Sequence, residues 1–267
     1  MREGTNMKER LAKKFDLSGK TCIVTGGAQG LGLAMARAVA DAGADIILAD
    51  INQPLAEQSA ASIAKDSGVR ACAIQTDVTK EDSVNHLVEE AMVRFGHLDC
   101  LINNAGICVH EDAENMAYAD WFKVVDVNLN GVFLMSKAVG RQMLAAGKGT
   151  IVNISSMSAI IVNTPQGQCA YNASKAGVMH LTKSLGTEWA RKGVRVNTIA
   201  PGYMRTDMTA SIFAEGGDMV KTWMAMSPTD RPGEPEELGP LAVYLLSDAS
   251  SFVNASVFTV DGGYTAW

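Results

Sequence analysis

The sequence predicts an α/β fold: one doubly wound domain with a seven-stranded parallel sheet and helices on both faces. Three observations predict it. Short, continuous apolar runs recur along the chain, each flanked by Gly, Asp, Asn or Ser. Stretches with three-to-four-residue apolar periodicity separate them, such as Leu31–Ala42, Asp82–Phe95 and Ala170–Arg191. Continuous apolar strands alternating with helices belong to a parallel sheet covered on both sides. Finally, 267 residues with 47 % hydrophobic and 19 % charged side chains suit a single large globular domain and exclude a disordered chain.

Taken in order, residues 1–19 are charged and polar, with Lys8, Arg10, Lys13 and Lys14 close together, and read as an extension draped on the surface. The domain proper is expected over residues 20–267. Its seven strands are expected at Thr21–Val24, Asp45–Ala49, Arg70–Gln75, Leu98–Ile102, Thr150–Ile154, Val194–Ile199 and Ser256–Val260. In such sheets ligands bind beyond the carboxyl ends of the strands, so the residues that follow each run carry the functional reading.

The first run ends in Thr25-Gly26-Gly27-Ala28-Gln29-Gly30-Leu31-Gly32, and a helix begins at once. Gly26, Gly30 and Gly32 permit a tight turn and close approach of backbone to a diphosphate. Gln29 and Leu31 flank that approach, and the helix N-terminus supplies unpaired N–H groups. The second run ends in Asp50-Ile51, with Asp50 eighteen residues past Gly32. A carboxylate there accepts from both hydroxyls of an adenosine ribose and repels a 2′-phosphate. No Lys or Arg lies within residues 26–32 or at 51 and 52, so NAD is expected over NADP. After the third run, Asp77 can accept from an adenine amino group while Val78 packs on the ring; Asp77 also has the chemistry of a helix cap.

The later strands end in Asn103-Asn104-Ala105-Gly106, in Asn153-Ile154-Ser155-Ser156 and in Pro201-Gly202-Tyr203-Met204-Arg205-Thr206, and Tyr171 and Lys175 stand four apart in Tyr-Asn-Ala-Ser-Lys. Together with Thr25–Gly32, this set over about residues 18–267 resembles the short-chain dehydrogenase/reductase family and its Rossmann fold. The resemblance implies Tyr171 as general acid/base and Lys175 as the residue that binds the nicotinamide ribose and lowers the phenol pKa. It implies Ser156 as the holder of the substrate oxygen and Asn128, in Val-Asp-Val-Asn, as the anchor of a proton-relay water. Asn104, Ala105 and Gly106 would line the cofactor, and Pro201, Gly202, Met204 and Thr206 would enclose the nicotinamide. One feature departs from the family pattern: the serine usually precedes the tyrosine by about thirteen residues, which is the separation of Ser158, whereas Ser156 precedes it by fifteen. Ser156 is preferred because it closes the strand, and a longer loop costs little entropy.

The loop after Ser156 and the terminal Asp261–Trp267 segment resemble the sugar-alcohol dehydrogenases of that family, which oxidise polyols with NAD. Ser158, Asn163 and Gln168 are then expected beside Ser156 and Tyr171 against a polyol or its ketose. A lid is expected in residues 206–227, which carry Met208, Phe213, Met219, Trp223, Met224 and Met226. The competing readings are a 3-oxoacyl or other keto-reductase and a non-catalytic dinucleotide-binding sensor. The resemblance also implies a homotetramer built through residues 117–146 and 170–191 and the last strand, with a structural magnesium ion at the Trp267 carboxylate.

Other classes are excluded more directly. A net charge of −6 with no basic stripe argues against nucleic acid. No apolar run of eighteen residues is present, which excludes a membrane-spanning helix. Cys22, Cys72, Cys100, Cys108 and Cys169 are odd in number and lack Cys-x-x-Cys spacing, which argues against a disulfide framework and a zinc site and for a reducing cytoplasm.

Overall fold

The computed structural model describes residues 7–267, without the side chains of residues 207, 208, 211 and 212; Met208 and residues 1–6 of the extension therefore lie outside the described residues. Seven parallel strands form one sheet: β1 (Thr21–Thr25), β2 (Asp45–Asp50), β3 (Ala71–Gln75), β4 (Cys100–Asn103), β5 (Gly149–Ile154), β6 (Val194–Pro201) and β7 (Val257–Val260). Their order is β3-β2-β1-β4-β5-β6-β7, so the winding reverses between β1 and β4, where a cleft opens at the strand ends. The strands differ from the apolar runs by a residue or two. Thr25, Asp50 and Pro201 extend β1, β2 and β6 because main-chain pairing, not side-chain apolarity, delimits a strand.

Alternation along each strand divides the core into two layers. Cys22, Val24, Ile46 and Leu48 pack with α2 (Gly30–Asp41), α3 (Gln53–Ser67) and, later in the chain, α10 (Gly239–Leu246) through Met35, Val39, Ile63 and Leu245. Ile23, Ile47 and Leu101 face the other way, toward Leu87 of α4 (Glu81–Phe95), Met135 and Val139 of α6 (Gly131–Ala146), and Leu185 and Trp189 of α7 (Cys169–Trp189). Within the extension, α1 (Met7–Phe15) buries no residue, whereas Leu17 just after it is fully buried and its N–H donates to Ala42 O.

Two local features position the site. The stretch 117–146 is not one helix: α5 (Tyr118–Val125) and α6 are joined by a π-helical turn, Asp126–Asn130, which carries Asn128. Such turns slip the hydrogen-bond frame by one residue and turn a side chain onto a new face. A buried polar ladder pins α7 to the sheet: Asn103 Nδ2 donates to Asn153 Oδ1, Asn153 Nδ2 to Thr182 Oγ1, and Ser155 Oγ to Lys175 O. Two short helices, α8 (Asp207–Glu215) and α9 (Asp218–Met226), follow β6 and overhang the cleft where the lid is expected.

Candidate active site

The cleft has a volume of about 530 Å³ and is walled by the carboxyl ends of β1, β2, β4, β5 and β6, the start of α7 and the segment after β6. Its first half is mostly backbone. Gly30 has φ +57°, the left-handed region that favours glycine. At Gly32 a Cβ would stand 2.2 Å from Gly26 O and 2.6 Å from Asn104 Nδ2, so only glycine lets the helix approach the strand this closely. The N-terminus of α2 has no capping side chain, which leaves its N–H groups available beside Gln29, Gly30 and Leu31. Thr25 ties β1 to β4: its Oγ1 accepts from Asn104 N and Ala105 N, while Asn104 Nδ2 donates to Thr25 O and Gly26 O. Asp50 accepts from Ala28 N at 3.1 Å and Asn52 N at 3.0 Å, and so is held at the cleft edge. Among the described residues lining the cleft, the only lysine or arginine is Lys175. Backbone donors at a free helix terminus, with a fixed carboxylate beyond them, fit a dinucleotide.

The second half is built from side chains. Ser156, Tyr171 and Lys175 line the same wall. The Tyr171 hydroxyl lies beside Ser156, whose Oγ donates to Ser158 Oγ at 3.0 Å. Enclosure of the hydroxyl pushes Tyr171 up to about 12; the polar Ser156 hydroxyl opposes this and the nearby Cys108 adds to it. Lys175 donates to Ile154 O at 2.8 Å, and its burial pulls it down to about 8. Its Nζ lies 5.6 Å from the Tyr171 ring centre. The expected lowering of the phenol by this ammonium is thus outweighed by burial in the protein's own framework. A phenol at about 12 is about 10⁻⁵ ionised at pH 7, so a further positive charge would have to arrive with the cofactor for Tyr171 to act as a base.

Most of the expected site residues come together here. Gly26, Gln29, Gly30, Leu31, Asp50, Asn104, Ala105, Gly106, Pro201, Gly202, Met204 and Thr206 line the cleft, and so do Ser158, Asn163 and Gln168. Five do not. Gly32 serves the close approach of α2 rather than the surface of the cleft. Ile51 is 69 % exposed and does not line the cleft. Asp77 spends its carboxylate on Thr79 N and Oγ1, and the cap position of α4 belongs to Lys80 instead. Val78 is buried against Gly131. Asn128 is fully buried and its amide clamps the main chain of Ile107 from both sides, with Ser174 Oγ as a third partner. Its Oδ1 and Lys175 Nζ each lie 3.3 Å from the place a Cβ would take on Gly106, which keeps it next to the lysine without reaching the cleft. Trp267 lies elsewhere, 78 % exposed, with its ring N–H on Met226 O.

Several lining residues were not expected as site residues: Cys108, His110, Gln166, Tyr203 and Trp223. Burial pushes Cys108 up to about 11 and lowers His110, so both present neutral side chains. Gln166 and Trp223 lie 57 residues apart and meet by a hydrogen bond of 3.1 Å; no spacing in the sequence announces such a pair.

An uncapped helix terminus beside the switch point, a carboxylate fixed at the cleft edge and a Ser-Tyr-Lys wall define a dinucleotide-dependent oxidoreductase. The chain belongs to the short-chain dehydrogenase/reductase family: residues 26–265 match the family model described as enoyl-(acyl carrier protein) reductase. It is 41 % identical over 253 residues to galactitol 2-dehydrogenase (L-tagatose-forming) of Cereibacter sphaeroides, covering 95 % of this chain and 98 % of the relative. A crystal structure of a short-chain type dehydrogenase/reductase from Mycobacterium marinum superposes with a TM-score of 0.91 at 38 % identity, over 96 % of this chain and 99 % of that one. A putative 2-deoxy-D-gluconate 3-dehydrogenase from Agrobacterium tumefaciens, solved with bound NADP, gives 0.86 at 34 % identity, over 95 % and 99 %.

Proposed function

We propose that this oxidoreductase oxidises a secondary hydroxyl of an open-chain polyol to the ketose, or runs the reverse, with NAD. The observation that carries the reading is the polar wall beside Tyr171. Ser158, Asn163, Gln166, Gln168 and Tyr203 put hydroxyl and amide groups where a substrate with several hydroxyls would lie. An acyl chain of the kind a 3-oxoacyl reductase handles needs an apolar wall, and these polar side chains offer it none. The similarity to a galactitol 2-dehydrogenase supports the same substrate class. The Ser-Tyr-Lys wall argues against a non-catalytic sensor.

The bound dinucleotide would supply the hydride acceptor and a positive ring. Tyr171 takes the hydroxyl proton. Ser156, beside Tyr171 on the same wall, would turn its hydrogen from Ser158 to the substrate oxygen and steady the charge developing there. Lys175, on the same wall, would hold the cofactor's ribose and help pass the proton on from Tyr171 toward water. Asn128 holds the Ile107 segment with its side chain, which leaves any hold on a relay water to its main chain. Asp50 and the lack of a basic residue at the adenosine end support NAD, although one similar structure holds NADP. Replacing Asp50 with Ala should erode the NAD preference about tenfold, read as the ratio of kcat/KM with NAD and with NADP.

A cytoplasmic setting is supported by five free cysteines, and among the described residues no helix is long and apolar enough to cross a membrane. Exposed Tyr118, Phe122 and Phe133 on α5 and α6 support assembly into a homotetramer. A magnesium ion at the Trp267 carboxylate is part of the same reading; among the described residues no three His, Cys, Asp or Glu side chains gather to hold a metal, so main-chain oxygens and water would complete its shell. The test of the main reading is NAD reduction over a panel of four- to six-carbon alditols with 3-oxoacyl thioesters as controls. Turnover confined to the thioesters overturns it.

A further inference from the structure

The substrate wall contains a hydrogen-bond relay with a fixed sense. Trp223 Nε1 donates to Gln166 Oε1 at 3.1 Å. An indole nitrogen can only donate, so the Gln166 amide has one orientation, oxygen toward Trp223 and nitrogen away from it. That nitrogen donates to Tyr203 OH at 3.1 Å and to Gln168 Oε1 at 3.2 Å. Gln168 is oriented in turn: its Nε2 must face Ser158 Oγ at 3.2 Å, with Asn163 Oδ1 at 3.2 Å and Asn172 Oδ1 at 2.8 Å also in reach. Ser158 Oγ thus receives N–H from Gln168 and O–H from Ser156. Gln168 thus fills one lone pair of Ser158 and Ser156 the other before substrate binds, so the Ser158 hydrogen is left to donate; when Ser156 turns its own hydrogen to the reacting oxygen, the Gln168 bond stays in place. With the Gln168 amide reversed, an amide oxygen would face Ser158 and consume that hydrogen.

Tyr203 completes the arrangement. Its oxygen also receives Asn163 Nδ2 at 3.0 Å, and its ring stacks on Trp223 with centres 4.0 Å apart and planes 15° apart. The stack holds the indole edge against Gln166, and Trp223 is only 2 % exposed.

We propose that Trp223 is a positioning residue that acts through Gln166 and Gln168 to keep Ser158 a hydrogen-bond donor to the substrate, and so selects alcohols bearing a second hydroxyl next to the reacting carbon. Ser158 stands 3.0 Å from Ser156, which holds the reacting oxygen, and the neighbouring hydroxyl of a vicinal diol reaches it with a lone pair. The inference rests on the alcohol-oxidising reading above and adds to it the group that reads the adjacent carbon.

The test compares 2,3-butanediol with 2-butanol, with NAD as oxidant, because the two differ by that one hydroxyl. Trp223→Phe keeps an aromatic ring on Tyr203 and deletes only the donor. The expected result is a KM for the diol raised about tenfold with a smaller change in kcat, and a diol-over-mono-alcohol preference reduced about tenfold. Gln166→Met, on the loop, should give the same loss, and the double variant should lose no more than either single one. A residue that merely packs would lower both substrates alike. Equal losses on both substrates, an unchanged preference in folded Trp223→Phe, or additive losses in the double variant overturn the inference. If Trp223→Phe does not fold, Gln166→Met alone decides it. A wild-type protein that oxidises neither alcohol nor any alditol overturns the function itself, which separates the two failures.

Discussion

The two halves of the cleft are made by different means. Over β1 and β2 the wall is main chain, kept open by glycines and a free helix terminus, with Asp50 as its one charged side chain. Over β5 and β6 the wall is a set of side chains bonded to one another across two segments, the loop after β5 and the chain after β6. A backbone site depends on the absence of a Cβ, a local property. A side-chain site depends on partners that only the fold brings together. The first therefore fails by steric exclusion, the second by loss of chemistry or of direction, and the two kinds of failure can be measured apart.

The largest effect belongs to the reacting half. Tyr171→Phe deletes one hydroxyl and nothing of the ring, so turnover should fall by about 10³-fold or more while dinucleotide affinity, read by fluorescence titration, stays close to wild type. A matching loss of affinity would mean the two halves are not independent.

Gly32→Ala breaks the other half. Its methyl would sit 2.2 Å from Gly26 O, so α2 must move off the strand. Dinucleotide affinity is expected to fall about 100-fold in isothermal titration, together with a lowered thermal midpoint. Normal affinity would show that the cradle tolerates what its geometry forbids.

Within the reacting half, Ser156 and Ser158 are separable. Ser156 is close enough to the Tyr171 hydroxyl to lower its pKa, whereas Ser158 acts on that tyrosine only through Ser156. Ser156→Ala should cost about 10²-fold in kcat and Ser158→Ala about tenfold, mainly in KM. The reverse order would make the thirteen-residue spacing the better guide.

The smallest effect is thermodynamic. Lys175 titrates at about 8 in the fold against 10.5 for the free side chain. The unfolded chain binds the extra proton between these values, so the penalty is present in full below about pH 8 and fades as pH rises through the window. Lys175→Met should add up to about 3 kcal/mol at pH 7, less what the lost bond to Ile154 O contributed, and the gain should shrink toward pH 10.5. Differential scanning calorimetry at the two pH values checks the sign.

The order of strands and helices was legible in the residues, and so was the glycine cradle. Apolar runs, periodicity and missing side chains are local signals that one chain displays without its partners. Asp50 stood out because it closes a strand, and Ser156, Tyr171 and Lys175 because their motifs resemble the family's; β5 and α7 bring these last three to one wall. Asp77 and Val78 stood at a similar offset, yet tertiary packing turned the first onto Thr79 and buried the second against Gly131. Only the tertiary structure decided that Asn128 clamps Ile107 from a π-helical turn, that burial rather than the lysine governs the Tyr171 hydroxyl, and that Trp223 meets Gln166 across 57 residues. Burial and hydrogen-bond direction are properties of a surrounding, and the surroundings of these groups come from segments far apart in the chain, which no local pattern of residues encodes.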